Sequence, residues 1–202
     1  MANFQSLSAA GTSIEQLLNA GFATVPAGIF PRTPKAVLAR TEDLDPSKAT
    51  GVVKPGVLTI FFHRVEANKT MRAAWSSVGS FDGFAHLPLD LHFLITAWED
   101  NPETELQILG RAMQCLENTP ILSGPLLAPA GAWTASEAVQ VVLEDVPPDS
   151  MFRIFDSLQA DFKLSVAYLA RVVRIDGVAS NLAPEVTTVV AGSAPSVGQG
   201  VT

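Results

Sequence analysis

The sequence predicts an α+β fold, a mainly antiparallel sheet of about four to five strands packed by two to three helices. Three observations lead there. Residues 57–66, 87–98 and 163–175 are rich in β-branched and aromatic side chains or alternate with a period of two. An apolar stripe at helical spacing follows the second of these stretches after a tight turn. Clusters of Pro, Gly, Asn and Asp separate the patterned segments.

Taken in order, residues 4–19 read as a helix with Phe4, Leu7, Ala10, Ile14, Leu17 and Leu18 on one face. Gly11 interrupts this pattern, so Thr12 or Ser13 is open as a later cap, and Gly21 is the expected stop. Pro26, Pro31 and Pro34 prescribe an extended connection to a short strand at 36–40. Glu42, Asp43, Asp45 and Pro46 on one side, and Lys54-Pro55-Gly56 on the other, bracket a flexible loop. Residues 57–66 are a strand. Residues 68–86 show no regular pattern and carry Met71, Trp75, Phe81 and Phe84, which either tuck onto the core or serve a partner.

Residues 87–118 are the best-specified stretch. Leu89, Leu91, Phe93, Ile95 and Ala97 alternate with Asp90, His92, Leu94, Thr96 and Trp98, giving one apolar strand face and one mixed face. Asn101 is a fitting N-cap, Pro102 fits the first helical position, and Glu103 and Glu105 complement the helix dipole. Leu106, Leu109, Met113 and Leu116 form the expected inner stripe, widened by Ile108, Ala112 and Cys115. Pro120, Pro125 and Pro129 then mark residues 119–132 as a linker-like excursion. Residues 137–144 read as a strand, and Pro147-Pro148-Asp149 opens a helix with Met151, Phe155 and Leu158 on one side. The strand at 163–175 places Leu164, Val166, Tyr168, Ala170 and Val172 on one face, with Ser165, Ala167, Leu169, Arg171 and Val173 on the other. The expected organisation is a domain at 1–176 and an extension at 177–202. The extension holds one charged residue, Glu185, and a strand-prone run at 186–190 that could add to a sheet edge.

Composition excludes several functions. With 48% hydrophobic and 16% charged residues, the chain is not broadly disordered. A net charge of −7 argues against nucleic-acid partners and against an anionic membrane surface. No apolar run reaches the roughly 18 residues of a membrane span, and the N-terminus lacks a basic region before an apolar one. Synthesis in the cytoplasm without a signal peptide is expected. Cys115, the single cysteine, lies on the helical stripe as a small core residue rather than a nucleophile.

A catalytic constellation is not visible. His86, His92 and Asp90 lack metal-ligand spacing, His63 stands apart, and the carboxylates near Asn101 suit a helix start. Nucleophile-elbow, phosphate-loop and dinucleotide motifs are missing. No cofactor or metal and no enzymatic activity is expected. Lys163, Arg171 and Arg174 form a basic strip, either a solvated face or a contact with an acidic neighbour.

Beyond these readings, the run 87–122, followed by 139–158 and then 162–176, resembles the N-terminal domain of the cap, or tail-terminator, protein of extracellular contractile injection systems. These are phage-tail-like particles of the antifeeding-prophage and virulence-cassette type. Residues 57–75, with Arg64 and Arg72, fit the same resemblance. It implies a phage tail-terminator-like fold and a structural role without catalysis. A homohexameric ring would end tube and sheath polymerisation and anchor the distal sheath end in an assembled particle. Self, inner tube and sheath are the partners it implies. Candidate subunit or sheath contacts are Arg64, Arg72, Trp75, Arg171, Arg174, Val186, Val189 and Val190. Another adaptor or baseplate component of the same particle, or an unrecognised small-molecule-binding domain, are the alternatives.

Overall fold

The alternation around Phe93 becomes the central strand of a six-stranded sheet. The computed structural model describes residues 2–45, 52–75, 84–158 and 161–177. In chain order the strands are β1 (Lys35–Ala39), β2 (Val57–Ala67), β3 (His86–Trp98), β4 (Ile121–Ser123), β5 (Ala138–Leu143) and β6 (Ser165–Asp176). The helices are α1 (Ser6–Ala23), α2 (Lys69–Trp75), α3 (Pro102–Asn118) and α4 (Pro148–Leu158). Strand order is β1-β2-β3-β6-β5-β4. The sheet is mixed: β1 runs parallel to β2, and every other neighbouring pair is antiparallel.

One face of this sheet is fully covered. Leu89, Leu91, Phe93, Ile95 and Ala97 pack with Leu58, Ile60, Val139, Val141 and Tyr168 beneath α1 and α3. Helix α1 contributes Ala10, Ile14, Leu18 and Phe22, all at most 1% exposed. Phe4, expected to lead this stripe, is 81% exposed because the helix begins only at Ser6. Gly21 does not stop the helix; it marks the α1–α3 crossing, where an added Cβ would overlap the Cys115 thiol. Arg111 of α3 closes that end of α1 by donating to the Gly21 carbonyl at 3.0 Å and to Thr24 Oγ1 at 2.7 Å.

Helix α3 starts as its sequence dictates, with Asn101 Oδ1 accepting from the Glu103 amide at 2.8 Å. Its inner face is Ile108, Leu109, Ala112, Cys115 and Leu116, whereas Leu106 is 57% exposed and Met113 packs at the margin. Residues 119–132 are not a linker. They form β4 and two short 3-10 turns whose Leu122, Leu127 and Ala128 are buried. Ser13 fixes them to α1, its Oγ accepting from the Ala128 amide at 2.8 Å. The irregular stretch after β2 begins with α2, capped by Asn68 Oδ1 accepting from Met71 N at 3.0 Å.

Two bulges shape the sheet. In β2 the register shifts between Phe62 and Arg64, so His63 is the extra residue. In β6, Leu91 pairs with Ala170 but Leu89 with Val173, so Arg171 and Val172 together face one residue of β3. The core position after Tyr168 and Ala170 therefore passes to Val173, 0% exposed, and not to Val172 as strict alternation requires.

The edges differ. At β1, Ala36 uses its outward groups on Asn19 of α1: its N–H donates to Oδ1 at 2.9 Å and its carbonyl accepts from Nδ2 at 3.0 Å. At β4, the Val141 amide donates to the Pro120 carbonyl, so by alternation Leu122 faces β5 while Ile121 and Ser123 turn their main-chain groups outward.

Candidate functional site: the half-covered sheet face

The described residues cover the second sheet face only in part. Helix α4 seats Phe155 against Leu94 and Ala167, and Leu158 against Phe61 and Leu44. Its predicted inner side, Met151, Phe155 and Leu158, is borne out, with Ile154 beside it. Beyond α4 the same face turns polar, and three of the candidate contact residues, Arg64, Arg171 and Arg174, lie there.

The first polar group surrounds the β2 bulge. The register places Arg64 opposite His92. His92, 5% exposed, has Nδ1 2.9 Å from both Glu144 oxygens, and Arg64 Nη2 lies 3.1 Å and 3.3 Å from the two ring nitrogens. Arg64 also approaches Glu144 at 3.4 Å and Glu66 at 3.5 Å. His63 lies in the same cluster, its ring centre 6.3 Å from that of His92. Burial, then the nearby His92 and Arg64, hold its pKa below the ordinary histidine value, against the pull of Glu144.

The second group lines an open groove of about 630 Å³ between the start of α2, strands β4 to β6 and Trp133. Arg171, Gln140 and Ile121 stand in register across β6, β5 and β4 and form its floor. Arg171 Nε donates to Gln140 Oε1 at 3.2 Å. Arg174 is held by Asp176 at 2.7 Å and Glu137 at 3.1 Å, so its charge is matched within the subunit. On the facing wall Asn68 Nδ2 donates to the Asp90 carboxylate at 3.0 Å.

The structure thus brings Arg171 and Arg174 to one groove and sets Arg64 in the adjacent cluster on the same face. Arg72 is exposed on α2, and Trp75 is its last residue. Val186, Val189 and Val190 lie outside the described residues. Sequence reasoning missed Gln140, Trp133 and the His92–Glu144 contact; the one available signal was the placement of His92 on the mixed face of its strand. Among the described residues no group of three His, Cys, Asp or Glu could hold a metal ion. No helix there is long and apolar enough to cross a membrane. The arrangement offers ion pairing, hydrogen bonding and apolar contact to a partner surface.

Comparison with known proteins identifies the family. Residues 9–188 match the model described as the Pvc16 N-terminal domain. The chain belongs to the Pvc16 N-terminal domain family. No curated protein matches its sequence. Among solved structures, this Pvc16-type domain is similar to the anti-feeding prophage cap, described as the tube-terminating cap. That likeness has a TM-score of 0.53 at 18% identity and covers 93% of this chain and 60% of the other. It is also similar to the sheath/tube terminator of the PVC extracellular contractile injection system in its extended state. There the TM-score is 0.49 at 17% identity, with 94% and 64% covered. The chain therefore spans less than two thirds of either protein's length. The likeness to the anti-feeding prophage cap shows that the mixed six-stranded fold is shared.

Proposed function

We propose that this chain is the terminating cap of a contractile injection particle, a structural subunit that closes the end of tube and sheath. The observation that carries the reading is the family match over residues 9–188. The fold shared with the tube-terminating cap of the anti-feeding prophage supports it. So does the surface: the half-covered face presents Arg64 and Arg171, and α2 presents Arg72 beside it. These residues, with Trp75, Arg174, Val186, Val189 and Val190, are the proposed contacts to neighbouring subunits, tube and sheath. The role is structural rather than enzymatic, and the site of action is the assembled particle.

A cyclic ring needs two unlike, complementary patches on each subunit. The unlike edges at β1 and β4 and the one-sided polar face supply that asymmetry. Size-exclusion chromatography with light scattering should give a species of about six subunits, seen as rings by negative-stain microscopy. A strictly monomeric chain at all concentrations and ionic strengths, together with labelled particles carrying it at the baseplate end, would overturn the reading.

A further inference from the structure

The border at β4 and the polar row beside it form a surface suited to an added strand. Alternation along β4 turns the Ile121 N–H and C=O and the Ser123 N–H away from β5, and these groups bond to no other described residue. At the far border the corresponding groups of Ala36 are already taken by Asn19, so strand addition has its place at β4. Pro120 and Pro125 flank the strand without an N–H to offer, which restricts any addition there to a short segment.

The row Arg171–Gln140–Ile121 selects what that segment must carry. A guanidinium has no acceptor, so Gln140 has to turn its side-chain carbonyl to Arg171 Nε, 3.2 Å away, which leaves its two amide N–H groups to donate elsewhere. Arg171 is exposed and makes no ion pair with a described carboxylate. Glu137, the carboxylate of the groove, is held by Arg174 at 3.1 Å. The row therefore offers donors and a positive charge, and its complement is a carboxylate. An antiparallel strand added at β4 would place one side chain in line with the row, directly beside Ile121. That position is two strand spacings, roughly 10 Å, from Gln140 and three, roughly 14 Å, from Arg171. A glutamate there reaches the Gln140 amide, with the Arg171 charge behind it.

We infer that β4 takes a short antiparallel strand from another polypeptide, with a glutamate of that strand beside Ile121 and held by Gln140 and Arg171. Main-chain bonds to Ile121 and Ser123 supply the grip, and the donor row supplies the choice of partner. The inference deepens the cap reading, on which it rests for the existence of a partner, by naming how the partner is held.

Hydrogen exchange on the full-length protein, diluted until monomeric, tests it with a capped hexapeptide of alternating glutamate and valine at about 10 mM. The Ile121 and Ser123 amides should slow about fivefold or more, while the Leu122 amide, which already faces β5, should not change. N-methylation of the peptide's glutamates should abolish the effect, because their N–H groups are the ones turned to β4; N-methylation of its valines should not. Arg171→Glu, a change at an exposed site, should weaken binding about fivefold and favour a lysine–valine hexapeptide instead. Three results overturn the inference: unchanged exchange at Ile121 and Ser123, equal protection of the wild type by the lysine–valine peptide, or blockage by methylated valines in place of methylated glutamates. Slow exchange of the two amides before peptide is added would show the chain itself on this edge, and protection that appears only on concentrating the protein would show a second copy there; either overturns it too. A wild-type chain that forms rings but binds no peptide would sink this contact and leave the cap reading standing. Peptide binding by a chain that never assembles would do the reverse.

Discussion

His63 sits in the β2 bulge with its Nε2 buried and without a hydrogen-bond partner among the described residues. Its lowered pKa makes folding proton-sensitive. An unfolded histidine takes up a proton below about pH 6.5, while the folded ring resists it, so the unfolded state binds more protons in that window. Stability must then fall as pH drops below about 6.5 and level off once the folded ring also protonates. Subtracting the urea-unfolding profile of His63→Gln from that of the wild type, between pH 5 and 8, should reveal this slope; parallel profiles would refute it. Gly21 carries the other residue-scale prediction. Gly21→Ala gains helix propensity of about 1 kcal/mol, but the new Cβ meets the Cys115 thiol, and overpacking of this kind costs about 1–3 kcal/mol. Net destabilisation is expected, and adding Cys115→Ala should recover most of it in a double-mutant cycle. Gly21 reads in the sequence as a helix stop because glycine's freedom serves C-caps. Its service to a helix crossing depends on what lies opposite, which local spacing does not encode.

The elements divide by how much of their definition is local. Strands β2 and β3 and the start of α3 were legible because alternation, β-branched content and the Asn101-Pro102 cap are written within a few residues. Strand β4 and helix α2 were not, since a three-residue strand after Pro120 and a two-turn helix have no room for a period to show. The rotation of α3 was misread by part of a turn. Leu106 and Met113, seven residues apart, flank a buried centre at Ile108, Leu109, Ala112 and Cys115, and both sets recur at spacings of three and four. Only the position of the sheet chooses between them. Leu109→Ala should therefore cost about 2–5 kcal/mol of stability in chemical denaturation. Leu106→Ala should stay within about 0.5 kcal/mol. Equal effects would show that the helix turns its other flank inward. The candidate site was legible only as scattered arginines. Arg171 and Arg174 were placed beside one strand, but the groove needs Trp133, Ile121 and Asn68, which arrive from three other parts of the chain.

For the whole molecule, assembly is expected to depend on the segment after Gly177. Deleting residues 178–202 should leave cooperative unfolding intact, because the described core from Ala10 to Val173 already joins both helices and the sheet, and should lower the fraction of chain in rings. Circular dichroism melting with light scattering checks both halves; loss of folding would show that the segment belongs to the core. A last consequence concerns how copies of this chain can go wrong. Polymers of the amyloid and ribbon kind grow because every added sheet offers a fresh border identical to the one just used. Here the side chain of Asn19 sits like a stopper on the Ala36 backbone, so the border at β1 is occupied at that residue before any second copy arrives. Two copies meeting at β4 would turn only their β1 borders outward, and there, among the described residues, the Ala36 groups a third copy would need are already bonded to Asn19. Runaway edge-to-edge growth is thereby discouraged.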